Sequence, residues 1–136
     1  MAELRLSIES QDGCVVVTVG GELDVVCSQR FDECLTEASS VSDQVILDLS
    51  AVDFMDTTAL AVIVGHWRRQ VAAGGRLLLA GARYRYTRAL WITGLADRLP
   101  MYADVGEALA AARTEPGAAA DSGDARDSGK PETTAR

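Results

Sequence analysis

Only one lysine, one histidine and three prolines occur among the 136 residues, and aromatic residues make up 5%. The histidine is His66, and the three cysteines, Cys14, Cys27 and Cys34, form no C-x-x-C pair. A zinc site built from histidine and cysteine therefore lacks ligands, and no metal is expected. Three cysteines cannot all pair within one chain, so buried, reduced thiols in a cytoplasmic protein are the expected reading. Long apolar runs are missing too. The longest, Ala59–Val64, falls far short of the about 20 residues that cross a bilayer, so no membrane insertion is expected. Met1–Arg5 has no basic segment leading into an apolar stretch, which argues against export. Positive charge is scarce, with 13 cations against 20 carboxylates and a net charge of −7. Such a surface repels a phosphate backbone, so nucleic acid is not an expected partner. No glycine-rich loop has the phosphate-cradling spacing, and no cofactor is expected. His66 and Asp56 fall on one proposed helix with no separate activated serine, so a hydrolytic triad is excluded and no catalytic residue is assigned.

What remains is 48% hydrophobic, enough for one core at this length. The sequence predicts a folded domain over residues 1–113 and a disordered acidic tail over 114–136. Glu115–Arg136 contains no leucine, isoleucine, valine or aromatic residue, and its five carboxylates against three cations leave −5 on the rest of the chain. A segment of that composition cannot offset its ordering entropy by burial. Deleting it is expected to leave the melting temperature within a few degrees; a large drop on truncation would show that it packs on the domain.

Within the domain, apolar–polar alternation over Leu4–Ser10 and the β-branched run Cys14–Val19 predict a hairpin around Gln11–Gly13, ended by Gly20-Gly21. Cys27, Phe31, Cys34, Leu35 and Ala38 share one face of a first helix. Val45–Leu49 reads as a strand. Leu60, Ile63, Val64, Trp67 and Val71 predict a second helix whose stripe faces the core, stopped at Gly74-Gly75. A strand over Arg76–Ala80, a helix over Tyr84–Thr93 ended by Gly94, an edge strand over Leu99–Tyr102 and a helix from Asp104 to Arg113 complete the order. Repeated strand–helix–strand units predict an α/β fold with a mixed, mostly parallel β-sheet packed against α-helices. The basic and aromatic stretch Arg83–Arg88 reads as a solvated helix face.

Two stretches carry functional information. Gly21-Glu22-Leu23-Asp24 lies between a strand and a helix, where it serves either as a tight connection or as a contact loop. Asp56-Thr57-Thr58-Ala59 opens the second helix. Asp56 suits an N-cap, and the residues after it serve either as plain capping residues or as a site where unpaired N–H groups receive a phosphate. Together with Val45–Ser50, Val52–Leu60, Gly74-Gly75-Arg76 and Thr93-Gly94-Leu95, these segments resemble the STAS family, shared by sulphate transporters and bacterial anti-sigma factor antagonists. The resemblance spans about Leu4–Arg113. It implies the STAS fold and a regulatory protein with no enzyme activity. On the antagonist pattern, such a protein binds an anti-sigma factor that is also a serine/threonine kinase, releases a sigma factor, is switched off by phosphorylation and is restored by a phosphatase. The residue matching the phosphoacceptor is Thr57, with Thr58 as second candidate. The implied partner surface comprises Gly21, Glu22, Leu23, Asp24, Asp56, Thr57, Thr58 and Ala59, on a protein that is monomeric when free. Thr57 replaces the commoner serine, and Ala59 replaces the usual glycine. Rival expectations are a constitutive STAS subunit of a scaffold or transport complex, and a nucleotide-binding domain.

Overall fold

The computed structural model describes residues 3–114; the expected tail lies outside them apart from Thr114. Five strands form one sheet in the order β1-β2-β3-β4-β5: β1 Arg5–Gln11, β2 Cys14–Leu23, β3 Gln44–Met55, β4 Arg76–Ala80 and β5 Met101–Tyr102. β1 is antiparallel to β2, joined through the tight turn Asp12-Gly13. All other neighbours are parallel. The helices are α1 Ser28–Val41, α2 Thr57–Ala72, α3 Arg88–Ile92 and α4 Val105–Thr114. The mixed, mostly parallel α/β architecture with an N-terminal hairpin is thus as the sequence predicts.

Strand alternation divides the core between the two sheet faces. Val15, Val17, Val19, Val45, Leu47, Leu49, Leu77 and Leu79 join Phe31 and Leu35 of α1, Ile63 of α2 and Leu90 of α3 in the larger cluster. Cys14, Val16, Ile46, Leu78 and Ala80 face the other way and meet Ala108 and Leu109 of α4. The three central strands are covered on both faces, which explains why they read as unbroken apolar runs.

The structure corrects several local expectations. β2 does not end at Gly20-Gly21; it continues to Leu23 through two register shifts against β3. Glycine here bends the strand instead of stopping it. Gly21 has φ +93°, and a Cβ there would collide with the Glu3 carbonyl oxygen. β3 likewise runs past Leu49 to Met55, so β2 and β3 pair beyond the end of β4.

The face of α2 turned to the core is Ala59, Leu60, Ile63, His66 and Gln70. Val64 and Trp67 are only half-buried, and Val71 is 52% exposed, so the predicted stripe is rotated. His66 tolerates its buried position because its Nε2 lies 2.7 Å from Asp32 Oδ1 on α1. Gly74, at φ +86°, follows α2 in the left-handed conformation expected there.

α3 is shorter than predicted because Thr87 bonds backwards. Its hydroxyl and its N–H both donate to the Arg83 carbonyl oxygen, closing a turn over Arg83–Tyr86 before the helix begins. The Arg83–Arg88 stretch is therefore mainly a turn, not a helix face. β5 contains only Met101 and Tyr102. α4 is capped as expected: Asp104 Oδ1 accepts from Glu107 N–H at 2.8 Å. All three cysteines are free, but only Cys14 is fully buried, while Cys27 and Cys34 are half-buried. No helix among the described residues is long and apolar enough to cross a membrane.

Candidate functional site

β2 and β3 are parallel, so their C-terminal ends emerge side by side, and the segments that follow them open α1 and α2 at one end of the sheet. The junction is direct. Asp56 N–H donates to the Leu23 carbonyl at 3.0 Å. The Asp56 carboxylate then takes two bonds. Oδ1 accepts from Ala59 N–H at 3.1 Å, capping α2. Oδ2 accepts from Val25 N–H at 3.0 Å, holding the short 3₁₀ turn Val25–Cys27 that follows β2. One side chain therefore fixes the two sequence-predicted segments relative to each other.

Asp24 organises the turn from its own side. Its Oδ1 accepts from Val26 N–H at 3.1 Å and lies 3.3 Å from Cys27 Sγ. The Cys27 thiol also donates to the Glu22 carbonyl at 3.1 Å. Desolvation, partly opposed by the backbone hydrogen bond at Asp24, pushes the Cys27 thiol above its ordinary pKa, so it stays protonated and serves as a donor at neutral pH.

The eight residues expected to make the partner surface separate by burial. Thr57 is exposed, and Glu22, Asp24, Asp56 and Thr58 are half-buried. Gly21, Leu23 and Ala59 are buried and offer no side-chain surface to a partner. Ala59 belongs to the main core, where its methyl fills space beneath the start of α2. In place of those three, the turn presents Val25 and Val26, the latter 88% exposed. Two consecutive valines between Asp24 and α1, outside the apolar stripe of that helix, were the signal that could have revealed them.

Beside Thr57, an open groove of about 400 Å³ runs along α2, lined by Thr57, Leu60, Ala61 and Val64 and closed by Thr93 and Leu95 from the α3 side. It is shallow, open and mainly apolar, not an enclosed cavity. Among the described residues, no group of three or more histidines, cysteines and carboxylates is placed to hold a metal ion.

Residues 5–108 match the model of the STAS domain. The chain belongs to the STAS family. Over 95 residues this STAS domain is 33% identical to the anti-sigma-B factor antagonist of Staphylococcus aureus, covering 69% of this chain and 88% of that protein. The crystal structure of an anti-sigma factor antagonist from Mycobacterium paratuberculosis has the same fold, with a TM-score of 0.73 at 23% identity over 82% of this chain and 95% of the other. The STAS fold is also shared with the Bacillus cell-fate determinant SpoIIAA, solved in its phosphorylated form, at a TM-score of 0.60 and 22% identity over 78% of this chain and 97% of the other.

Proposed function

We propose that this STAS domain is an anti-sigma factor antagonist, acting by binding and carrying no reaction of its own. Unmodified, it docks on an anti-sigma factor of the serine/threonine kinase type and frees the sigma factor. Phosphorylation of Thr57 ends the interaction, and a phosphatase restores it. The observation that carries the reading is the pair of hydrogen bonds that the Asp56 carboxylate accepts, from Ala59 N–H and Val25 N–H. It holds exposed Thr57, the first residue of a 16-residue helix, beside the exposed valines of the Asp24–Cys27 turn.

That arrangement suits a switch. A contact that covers Val25, Val26 and the groove beside Thr57 buries apolar surface, which favours association. A phosphate brings a charge of about −1.5 to −2. The α2 N-terminus accommodates it within the folded domain through unpaired N–H groups and the helix dipole. A partner closing over the same spot must desolvate that charge, and the complex is disfavoured.

The test combines capture from native lysate, identification of the bound protein by mass spectrometry, and a kinase assay. Thr57→Ala is expected to retain the anti-sigma factor and take up no phosphate. Thr57→Glu is expected to bind at least about tenfold more weakly with an unchanged circular dichroism spectrum. Thr58→Ala should still be phosphorylated. Full incorporation into Thr57→Ala with loss in Thr58→Ala would move the acceptor by one residue. A wild-type chain that binds but never takes phosphate would instead be a constitutive STAS subunit.

A further inference from the structure

The segment between β4 and the 3₁₀ turn Leu95–Asp97 differs in charge from the rest of the domain. From Gly81 to Gly94 it holds Arg83, Arg85 and Arg88 and no carboxylate. The remainder of residues 3–114 has seven arginines against fifteen carboxylates. None of the three guanidinium groups has a carboxylate partner among the described residues. Aromatic rings hold them instead. Arg83 and Arg85 lie 4.6 and 5.7 Å from the centre of the Tyr86 ring, and Arg88 lies 5.9 Å from that of Tyr84. Tyr84 in turn packs edge-on against Trp91 at 6.0 Å. Arg83 is anchored by a 2.7 Å bond from Nη2 to the Ser50 carbonyl. Tyr84 and Trp91 are exposed, as is neighbouring Ile92 at 72%, while Tyr86 is half-buried beneath its two arginines.

We propose that this arginine–tyrosine patch is a docking surface for an acidic, partly apolar segment of a partner protein, and that the segment belongs to the same partner that docks beside Thr57. The second part rests on the function proposed above. Continuity supports it, because Thr93 and Leu95, just beyond the patch, close the groove that begins at Thr57. Charge complementarity names the chemistry. A guanidinium stacked on a ring can still donate from its edge to a carboxylate, as Arg83 does to the Ser50 carbonyl, and cations without a carboxylate partner in an acidic domain orient an incoming acidic segment. The patch offers three cations, while the rest of residues 3–114 carries fifteen carboxylates against seven arginines, so a short acidic peptide matches it better than a long polyanion such as RNA.

The experiment uses the full chain and fluorescence anisotropy with a labelled peptide of about twelve residues alternating glutamate and leucine, titrated at about 50 and 300 mM salt. Wild type is expected to bind, with affinity falling about tenfold between the two salt concentrations. Arg85→Glu/Arg88→Glu, which leaves the Arg83 anchor in place, should bind at least about tenfold more weakly with an unchanged circular dichroism spectrum. A lysine-for-glutamate peptide should not bind. Thr57→Glu should leave peptide affinity within about twofold, so the patch is readable even if the switch is not. Three results would overturn the docking site: no wild-type binding at low salt, equal binding by the double variant, or tighter binding of a uridine RNA of the same length. Deleting residues 115–136 should change nothing. A gain of about tenfold would assign the patch to the chain's own acidic end and overturn the partner assignment. With the captured anti-sigma factor as ligand, the double variant should again lose about tenfold. Full affinity there would separate the patch from the Thr57 partner while leaving the Thr57 switch standing.

Discussion

Ile63→Asp is expected to yield no folded protein. Ile63 is fully buried in the middle of α2, on the face that meets the larger core. A carboxylate there would be buried among leucines and valines without a cation. Desolvating an unpaired charge costs several kcal/mol, and the lost isoleucine removes about 2–3 kcal/mol more. Together these approach the roughly 5–15 kcal/mol that separates a domain from its unfolded chain. Soluble yield, circular dichroism and thermal melting check the outcome. The control is Val71→Asp on the same helix. Val71 is half-exposed, so its aspartate should be soluble and melt within a few degrees of wild type. The opposite pattern, a tolerated Ile63→Asp and a lethal Val71→Asp, would turn the helix over.

That pair of substitutions marks where the sequence was ambiguous. α2 carries Leu60, Val62, Ile63, Val64, Trp67 and Val71, apolar residues nearly all the way round, so helical spacing alone does not select one face. The structure selects it through a polar contact. His66 is accommodated on the inner face because Asp32, 34 residues earlier, accepts a hydrogen bond from its Nε2. Such a pairing is invisible to any local pattern. The strands were plainer, since Val15–Val19 and Leu77–Leu79 are buried on both faces and leave few other readings. Gly20-Gly21 misled for a definable reason. Glycine usually punctuates a strand, but here parallel pairing with Ala51 and Val52 continues through it. In the site, the capping role of Asp56 was legible from its place before a helix. Its second bond, to Val25, was not, because that bond exists only once β2 and β3 lie side by side. The exposed valine pair is apolar and reads as core until the turn that carries it out to solvent is formed.

Asp56→Ala is expected to damage stability and partner binding together. Losing the cap leaves Ala59 N–H without its acceptor at a fully buried residue, which costs about 1 kcal/mol or somewhat more. Losing the second bond frees Val25 N–H, a further loss of up to about 1 kcal/mol for an exposed bond to a charged acceptor. A total of up to about 2 kcal/mol lowers the melting temperature by up to roughly 10 °C in a domain of this size. Binding should suffer beyond that loss. Without the Oδ2 bond the Val25–Cys27 turn is no longer fixed against the start of α2, and the partner must order it, so affinity should fall by about tenfold or more. Asp56→Asn retains one carbonyl acceptor and should lie between the two. Asp104→Ala is the matched control: it removes the same kind of cap from α4, on the opposite face of the sheet. It should cost about 1 kcal/mol and leave binding unchanged. Thermal melts and titrations with the captured anti-sigma factor separate the two effects. If Asp56→Ala melts lower yet binds at full affinity, as Asp104→Ala should, the Asp24–Cys27 turn lies outside the partner surface.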